Sequence, residues 1–341
     1  MRSQNLPWLS LTRSRLTNDW RNLPHGLLLA GPEGVGKSQL AIDLAGLLLC
    51  ASPTEEQACG QCSSCHLFSQ TIHPDFHVLS AEVEEPLLDS VLLSHAERYW
   101  LERKGASTKK PSEQIGVDAI RALNEALAST AKLSGAKVAF IRNADKLNRN
   151  AANALLKLLE EPTPRTYLIL TSAFTHRLPV TVRSRCAQMA CPVPGLQETQ
   201  EWLNDRHAMD TNLTSALVRT GMGPLSIERI IQAGQDKALA SLVDQVKTDL
   251  GKVNLNAMLE FCDQLTPNIV LAVLQSIVEE KFRAETALGC RARTTETGWS
   301  REALIRSYYL LGDARERLSS ALDTQLSLES VFTEFEKVVS H

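Results

Sequence analysis

The stretch that decides the fold is GLLLAGPEGVGKSQL, residues 26–40. Its first part, Gly26 to Ala30, is a short apolar run that is typical of a buried β-strand. Residues 31–38 then match the pattern G-x-x-x-x-G-K-[ST] in full. From Ser38 to Cys50 the apolar residues recur at the spacing of a helix. A strand, a glycine-rich loop and a helix in this order predict a phosphate-binding loop in an α/β domain.

The predicted loop carries the groups that phosphate binding requires. Its glycines allow backbone N–H groups to point at phosphate oxygens, and the helix N-terminus adds partial positive charge. Lys37 is placed to reach the β- and γ-phosphates, and the Ser38 hydroxyl can ligate Mg²⁺. The alternative is a glycine-rich turn that binds nothing. We expect the loop to be able to bind ATP or ADP with Mg²⁺, through Gly31, Gly34, Gly36, Lys37 and Ser38.

Further strands and helices alternate along the first half of the chain. Apolar runs predict strands at 76–80, 137–141 and 166–171. Helical spacing predicts helices at 117–132 and 151–161, the second of which is stopped by a proline. Strands that alternate with helices indicate a parallel sheet that is covered on both faces.

The rest of the chain differs in character. Residues 81–114 are acidic, then mixed in charge, then rich in Ser, Lys and Pro. They are interpreted as an inserted helix at roughly 87–103 followed by a mobile linker. From 196 to 341 the pattern is helical, and no convincing strand follows Cys191. The sequence therefore predicts the class α/β plus all-α, with an α/β domain followed by helical domains.

The composition limits the classes of function. The chain has 341 residues, is 43% hydrophobic and 22% charged, and carries a formal net charge of −3. It therefore lacks the basic excess of a dedicated nucleic-acid binder. No apolar run approaches the about 18 residues that span a bilayer, and the N-terminus lacks a signal-peptide pattern. We expect a cytoplasmic protein without membrane contact, in which eight cysteines favour metal ligands and buried thiols over disulfides.

The acids that ATP hydrolysis needs are missing from the expected strand. The stretch KVAFIRNADKL, residues 137–147, is typical of the strand that carries an Asp and then a Glu in P-loop ATPases. Arg142 and Asn143 stand at those two positions. Asp145 lies two residues past the expected Glu and needs a local backbone shift to reach the metal. The pattern favours a domain that hydrolyses ATP slowly or not at all; the alternative is a misplaced strand end with Arg142 as a solvated charge.

Four cysteines follow the helix of the phosphate loop. Their spacing is C-x8-C-x2-C-x2-C, which suits a closed, structural, tetrahedral Zn²⁺ site formed by Cys50, Cys59, Cys62 and Cys65. An iron–sulfur site and free thiols are the alternatives, although no cysteine follows Cys65 at ferredoxin spacing. His66 or His73 could replace one cysteine as a ligand. The other cysteines are interpreted as core thiols: Cys186, Cys191, Cys262 and Cys290.

An arginine follows the last predicted strand, in the stretch TVRSRC at 181–186. Arg185 can lie on the rim of the α/β domain. A guanidinium there can stabilise charge that develops on a γ-phosphate, and such a finger can act on a neighbouring subunit. On spacing alone the stronger interpretation is a surface arginine paired with a carboxylate.

Together these motifs resemble the delta-prime subunits of the bacterial DNA polymerase III clamp loader, which are AAA+ proteins related to gamma/tau. The resemblance covers residues 23–186 apart from 81–114, and its motifs are specific. Besides the phosphate loop and the cysteine module, they are Leu23-Pro24-His25, His73-Pro74-Asp75, GVDAIR at 116–121, NAANALLKLLEEP at 150–162 and Ser184-Arg185-Cys186. The helical remainder matches in kind but carries little signature.

The resemblance implies three domains, a set of partners and a role for Arg185. The domains are a RecA-like AAA+ domain at 1–190 with a zinc module at 50–66 and the insertion at about 81–114, a helical lid at 191–235, and a helical collar at 236–341. The partners are the gamma/tau and delta subunits, and the assembly loads a sliding clamp onto primed DNA as part of a DNA polymerase holoenzyme. Arg185 matches the arginine finger that acts in trans on ATP held by the adjacent gamma/tau subunit.

The chain departs from the family pattern in two places. Its phosphate loop is complete, whereas some delta-prime relatives have a degraded loop, so nucleotide can bind and stiffen the domain without efficient turnover. Residues 81–114 are longer than the usual connection and are interpreted as a solvated insertion. The sequence thus predicts a stator, that is, a clamp-loader subunit that is not a motor. The alternatives are an active gamma-type ATPase, which the missing acids oppose, and a zinc-dependent DNA-binding module, which the net charge opposes.

Overall fold

The strand before the phosphate loop is β1, Gly26–Ala30, and it lies within a five-stranded sheet. The computed structural model describes residues 6–100, 111–133, 135–207, 211–248, 255–287, 300–318 and 324–339. The other strands are β2 (Phe76–Leu79), β3 (Lys137–Ile141), β4 (Thr166–Ser172) and β5 (Ala187–Ala190). Neighbouring strands pair in parallel in the order β2-β3-β4-β1-β5, which confirms the predicted parallel sheet.

The burial of each strand explains which ones the sequence reveals. All residues of β2 and β3 are buried, as are nearly all residues of β1 and β4. Strands covered on both faces appear in sequence as continuous apolar runs, and these four were predicted. The edge strand β5 has the sequence AQMA, and its residues are exposed or half-exposed. Because β5 carries no apolar run, the sequence does not predict it.

Seven α-helices accompany the sheet in the described residues of the first unit. Their bounds are α1 (Ser10–Thr17), α2 (Lys37–Leu49), α3 (Ser63–Ser69), α4 (Ser90–Ala96), α5 (Val117–Ala128), α6 (Arg149–Glu160) and α7 (Val180–Arg183). Helix α6 shows why they form. Asn148 caps it by accepting a hydrogen bond from the backbone N–H of Ala151. The helix buries one apolar face, including Leu155 and Leu159, and ends just before Pro162.

The parallel register gathers the functional segments at one edge of the sheet. Ala30 at the end of β1 is paired with Ser172 at the end of β4. Leu79 at the end of β2 is paired with Ile141 at the end of β3. The phosphate loop and Arg142 leave the sheet at these carboxyl ends, where ligands bind in open α/β folds.

The segment after β2 is not the solvated insertion that the sequence predicted. A 3₁₀ helix at Glu82–Leu87 is followed by α4 and a further 3₁₀ turn, Glu97–Tyr99. Tyr99 and Trp100 are buried, and the Trp100 indole donates a hydrogen bond to the Ser80 carbonyl (3.0 Å). Residues 82–100 therefore pack on the edge of the sheet at β2. The expected mobile linker falls largely on residues 101–110, which lie outside the described residues.

The chain divides into two compact units, Met1–Val193 and Pro194–His341. In the described residues the second unit contains helices and no strand, which confirms the predicted all-α region. The further division at 235 into lid and collar stays a prediction. Within the described residues, no helix is long and apolar enough to span a membrane. The helices are α8 (Leu196–Asn204), α9 (Thr211–Arg219), α10 (Pro224–Gln232), α11 (Asp236–Thr248), α12 (Leu255–Gln264), α13 (Pro267–Ala287), α14 (Arg301–Leu318) and α15 (Thr324–Val339).

Candidate functional site

The phosphate loop has the backbone geometry that its glycines allow. Gly34 and Gly36 have φ values of 77° and 98°, in the left-handed region that residues with a Cβ rarely adopt. Gly31 is required for another reason: a Cβ there would lie 2.2 Å from the carbonyl oxygen of Cys191. Ser38 lies in the first turn of α2, which begins at Lys37. The structure thus brings together the five residues that the sequence proposed for phosphate binding; nucleotide binding itself stays a prediction.

Lys37 is folded back onto the loop. Its ammonium group donates hydrogen bonds to the carbonyls of Gly31 (2.6 Å) and Pro32 (2.7 Å), and the residue is 6% exposed. Burial, with a smaller effect of nearby Arg142, lowers the pKa of Lys37 to about 8 against the opposing effects of Cys191, Glu33 and Asp145. The two carbonyls thus accept N–H groups of the Lys37 ammonium that would otherwise be available to donate to a phosphate. A bound nucleotide must therefore displace the two carbonyls.

Arg142 lies at the carboxyl end of β3 and is buried. Its guanidinium forms an ion pair with Glu84, and the two residues are 5% and 1% exposed. Glu84 also accepts a hydrogen bond from the Asn143 side-chain amide (2.6 Å) and forms an ion pair with Lys146 (3.1 Å). Both residues at the positions of the missing acids are therefore tied to Glu84. The alternative of a solvated Arg142 is wrong.

Asp145 approaches the phosphate loop through a local turn. Asn143 adopts a left-handed conformation with φ 46°, and a 3₁₀ turn, Ala144–Lys146, follows. The Asp145 carboxylate accepts hydrogen bonds from the Ser172 hydroxyl (2.7 Å) and the Ala173 N–H (3.2 Å). It therefore bridges the ends of β3 and β4 and lies near enough to raise the pKa of Lys37.

The four cysteines of the module converge on one point. Their sulfur atoms all lie within 4.8 Å of one another, and three pairs are separated by 3.9, 3.9 and 3.6 Å. A tetrahedral zinc ion with Zn–S bonds of about 2.3 Å requires sulfur separations of about 3.8 Å. The cluster can therefore hold one metal ion. The ligand set is Cys50, Cys59, Cys62 and Cys65.

Backbone N–H groups favour the thiolate form of Cys62. The N–H groups of Cys59, Cys62 and Cys65 each donate to the sulfur of another cysteine of the set, at 3.2 to 3.4 Å. Burial opposes ionisation of Cys62, yet hydrogen bonds from the N–H groups of Cys65 and Ala51 lower its pKa to about 6. Because a metal ion binds the thiolate and not the thiol, these hydrogen bonds favour metal binding by Cys62.

The other candidate ligands and cysteines lie elsewhere. His73 is buried, and its ring bonds to the Ser64 hydroxyl (2.8 Å) and the Asp75 N–H (3.1 Å), so it does not replace a cysteine. His66 is exposed beside the module. Burial raises the pKa of Cys186 and Cys191 to about 11, as expected of core thiols. Cys262 is only half-buried, and partial burial together with Asp263 raises its pKa to about 12. Cys290 lies outside the described residues.

Arg185 follows α7 on the surface of the first unit. Its guanidinium pairs with Glu160 (2.6 Å) and donates to the Thr181 carbonyl (3.0 Å), and its side chain is 37% exposed. The single chain therefore contains a surface ion pair of Arg185 with a carboxylate, which is the alternative to a catalytic arginine finger. Because such exposed pairs are weak, they do not prevent the guanidinium from taking another partner.

Comparison with known proteins supplies the family. Residues 11–194 match the family described as "DNA polymerase III, delta subunit". This segment contains the phosphate loop, the cysteine module, β3 and Arg185. The chain belongs to this family.

Named members of the family extend the match. The chain is 37% identical to the DNA polymerase III subunit delta' of Pseudomonas aeruginosa over 71% of its own length and 66% of that relative. It is 32% identical to the subunit delta' of Escherichia coli over 64% of its own length and 58% of that relative. These matches span less than two thirds of each relative. Among solved structures, a gamma subunit-related protein of Thermotoga maritima is 16% identical, with a TM-score of 0.46 over 96% of this chain and 99% of that one.

One residue of the site, Glu84, is not predicted from the sequence of this delta-family chain. Glu84 received no role, because an acidic segment resembles a solvated loop when its buried partner is unknown. For Asp145 the sequence predicts the need for a local backbone shift, and the left-handed Asn143 provides a turn at that point. The signal that could have found Glu84 is charge: a buried cation at the end of β3 requires a carboxylate nearby.

Proposed function

We propose that this chain is a non-motor subunit of the DNA polymerase III clamp loader. In this role it assembles with gamma/tau and delta subunits and helps to load the sliding clamp onto primed DNA. Arg185 acts in trans, where it stabilises charge on the γ-phosphate of ATP held by the neighbouring gamma/tau subunit. Family membership supports the assembly, because relatives in this family bear the name DNA polymerase III subunit delta'.

The observation that carries the non-motor role is the buried pair of Arg142 and Glu84. An ATPase of this class holds Mg²⁺ and positions water with acids at the end of this strand. Here that strand end presents a guanidinium and an amide, and the acid that contacts both, Glu84, is consumed by pairing with them. The chain therefore contributes structure and Arg185 rather than turnover. The helical lid and collar of the second unit belong to this proposal as its means of assembly.

The metal of the cysteine cluster is zinc in this proposal, and its role is structural. Four sulfur ligands leave no open position for a substrate. The segment from Cys50 to α3 has little core of its own, so the ion supplies much of its fold.

Reconstitution with purified gamma and delta tests the function. The wild-type chain should form a complex in size-exclusion chromatography and support clamp- and DNA-stimulated ATP hydrolysis. Arg185→Ala should assemble normally but lower stimulated hydrolysis at the dependent site by about 10³-fold or more, the range of arginine fingers. Arg121→Ala is the matched control, since Arg121 is also an exposed arginine in an ion pair with a carboxylate. Normal hydrolysis with Arg185→Ala would overturn the role of the finger, and failure to assemble would overturn the clamp-loader role.

The complete phosphate loop favours one rival, an active gamma-type ATPase. Lys37 and Ser38 are the residues with which a motor subunit would bind the phosphates and Mg²⁺. Hydrolysis by the isolated chain separates the two functions, since the stator requires none.

A further inference from the structure

The edge of the sheet at the phosphate loop is suited to phosphate but not to magnesium. Mg²⁺ demands octahedral oxygen ligands and is usually held by one or two carboxylates together with phosphate oxygens. The loop itself offers one neutral ligand of this kind, the Ser38 hydroxyl. The acid that completes the site in P-loop enzymes lies at the end of the neighbouring strand. That position holds Arg142.

The carboxylates around this strand end are already engaged. Glu84 is 1% exposed and is surrounded by Arg142, Asn143 and Lys146. Asp145 accepts hydrogen bonds from Ser172 and Ala173. Turning Glu84 towards a metal ion leaves buried donors unsatisfied, which is costly. Asp145 accepts both of its hydrogen bonds through one oxygen, Oδ1, and so is fixed against the end of β4.

The remaining acid beside Lys37 belongs to the loop and not to the strand end. Glu33 is exposed and occupies a variable position of the G-x-x-x-x-G-K-[ST] pattern. Its place in the sequence differs from that of the strand-end acid that holds Mg²⁺ in P-loop enzymes. The strand-end position that holds Mg²⁺ in P-loop enzymes therefore carries no acid in this chain.

Two cations lie at this edge of the sheet, and one of them, Arg142, is paired with Glu84. Lys37 and Arg142 are both buried, and Arg142 lies near enough to disfavour the charge of Lys37. Two neighbouring cations at low exposure attract an anion and repel a divalent cation. Backbone N–H groups and the N-terminus of α2 add to this preference.

We propose that the phosphate loop binds the free anion of a nucleoside diphosphate or triphosphate, without Mg²⁺, and that Arg142 supplies the positive charge that the metal supplies in motor subunits. The proposal deepens the non-motor function, since it rests on the same phosphate loop and the same replacement of the acid by Arg142. Magnesium should not strengthen the binding, because a nucleotide that carries the metal has less negative charge to offer. Glu84 moderates the charge of Arg142 and holds its side chain in place.

A binding titration in two buffers tests the proposal. Fluorescent N-methylanthraniloyl-ADP is titrated with the purified chain in excess MgCl₂ and in excess EDTA, and polarisation gives the two dissociation constants. We expect the affinity in EDTA to equal or exceed that in MgCl₂. A site of the motor type would lose more than about tenfold in EDTA, or about 1.4 kcal/mol.

Variants assign the effect to residues. Lys37→Ala should abolish binding in both buffers. Arg142→Gln should weaken binding in EDTA by about tenfold or more, and Arg142→Lys should restore part of it by keeping the charge. Arg121→Gln is the control, since Arg121 is exposed and belongs to α5. Circular dichroism and the urea midpoint establish that each variant is folded. If Arg142→Gln does not fold, Arg142→Lys is used to test the role of Arg142.

Each result bears on the proposal. Binding that requires Mg²⁺ would overturn it while leaving a nucleotide site. Unchanged affinity of folded Arg142→Gln in EDTA would overturn the role of Arg142. If the wild-type chain binds nucleotide in neither buffer, both the proposal and the nucleotide site fail. In all three cases assembly with gamma and delta remains a separate test of the clamp-loader function.

Discussion

Arg142 at the end of β3 and Glu84 in the segment after β2 form an ion pair that is buried from solvent. The two residues are 58 positions apart, since 142 minus 84 is 58. Arg142 stands where P-loop ATPases carry an acid, and Glu84 pairs with it from another segment. The pair thus joins residues 82–100 to the strand end beside the phosphate loop. It explains how the fold can keep a cation at this position.

Removing the charge of Glu84 should destabilise the chain strongly. Glu84→Gln leaves Arg142 buried without a counter-charge, and loss of one partner of a buried pair costs about 3–5 kcal/mol. Urea unfolding followed by circular dichroism measures the change. Glu97→Gln is the control, because Glu97 lies in the same segment but is exposed, and its effect should stay within about 0.5 kcal/mol. Equal stability of both variants would contradict the importance of the pair.

The cysteine cluster should bind one zinc ion per chain. Mass spectrometry under native conditions or atomic absorption should detect it, and the protein should be colourless. Cys59→Ser should lose the metal and unfold the module, which increased proteolysis between residues 50 and 66 would reveal. Cys262→Ser is the control, since Cys262 belongs to α12 and lies outside the cluster. A brown protein with iron would contradict the assignment to zinc, and full metal content in Cys59→Ser would contradict the ligand set.

Stability should fall in mild acid because histidines beside β2 are held neutral. Burial, with a further effect of Arg98, lowers the pKa of His77 to about 4 and that of His95 to about 3, from 6.5. The unfolded chain therefore binds protons that the folded chain does not, and stability drops as pH falls from about 6.5 towards these values.

A variant of His95 isolates this effect. His95→Leu should reduce the loss of stability between pH 7 and pH 5, by up to about one proton's contribution to the slope. Urea midpoints at the two pH values measure it. His176→Gln is the control because His176 is exposed. An identical pH dependence in His95→Leu would rule out its contribution.

The ion pair of Arg185 and Glu160 should be dispensable. Both side chains are well exposed, at 37% and 48%, so the pair contributes about 1 kcal/mol or less. Glu160→Gln should leave the unfolding midpoint nearly unchanged, and in the reconstituted loader it should preserve or raise stimulated ATP hydrolysis because Arg185 is freed. A loss of hydrolysis as large as that of Arg185→Ala would mean that the pair, and not the free guanidinium, is required.

The sequence predicts the fold wherever local pattern and burial agree. Strands β1 and β3 were predicted to the residue, since both are apolar runs covered on both faces. The convergence of the four cysteines also follows from their spacing. The phosphate-loop motif is visible in the sequence because it depends on neighbouring residues. For the same reason the sequence shows that Arg142 and Asn143 stand in place of the two acids.

The features that the sequence conceals depend on distant residues. Glu84 lies in an acidic stretch, and nothing local distinguishes a buried carboxylate from a solvated one until Arg142 is known to be its partner. Tyr99 and Trp100 are buried against β2 by tertiary contacts, although the surrounding residues are charged. The bridge from Asp145 to Ser172 requires a left-handed Asn143, which is a property of the backbone that residue type alone does not determine.

The most direct test of the non-motor role is ATP hydrolysis by the purified chain alone, under conditions that detect a single turnover. Enzyme is held in excess over radiolabelled ATP with MgCl₂, and Lys37→Ala serves as the background. The account predicts that the wild-type chain releases no more phosphate than Lys37→Ala. Robust turnover that disappears in Lys37→Ala would contradict it and identify the chain as a motor subunit.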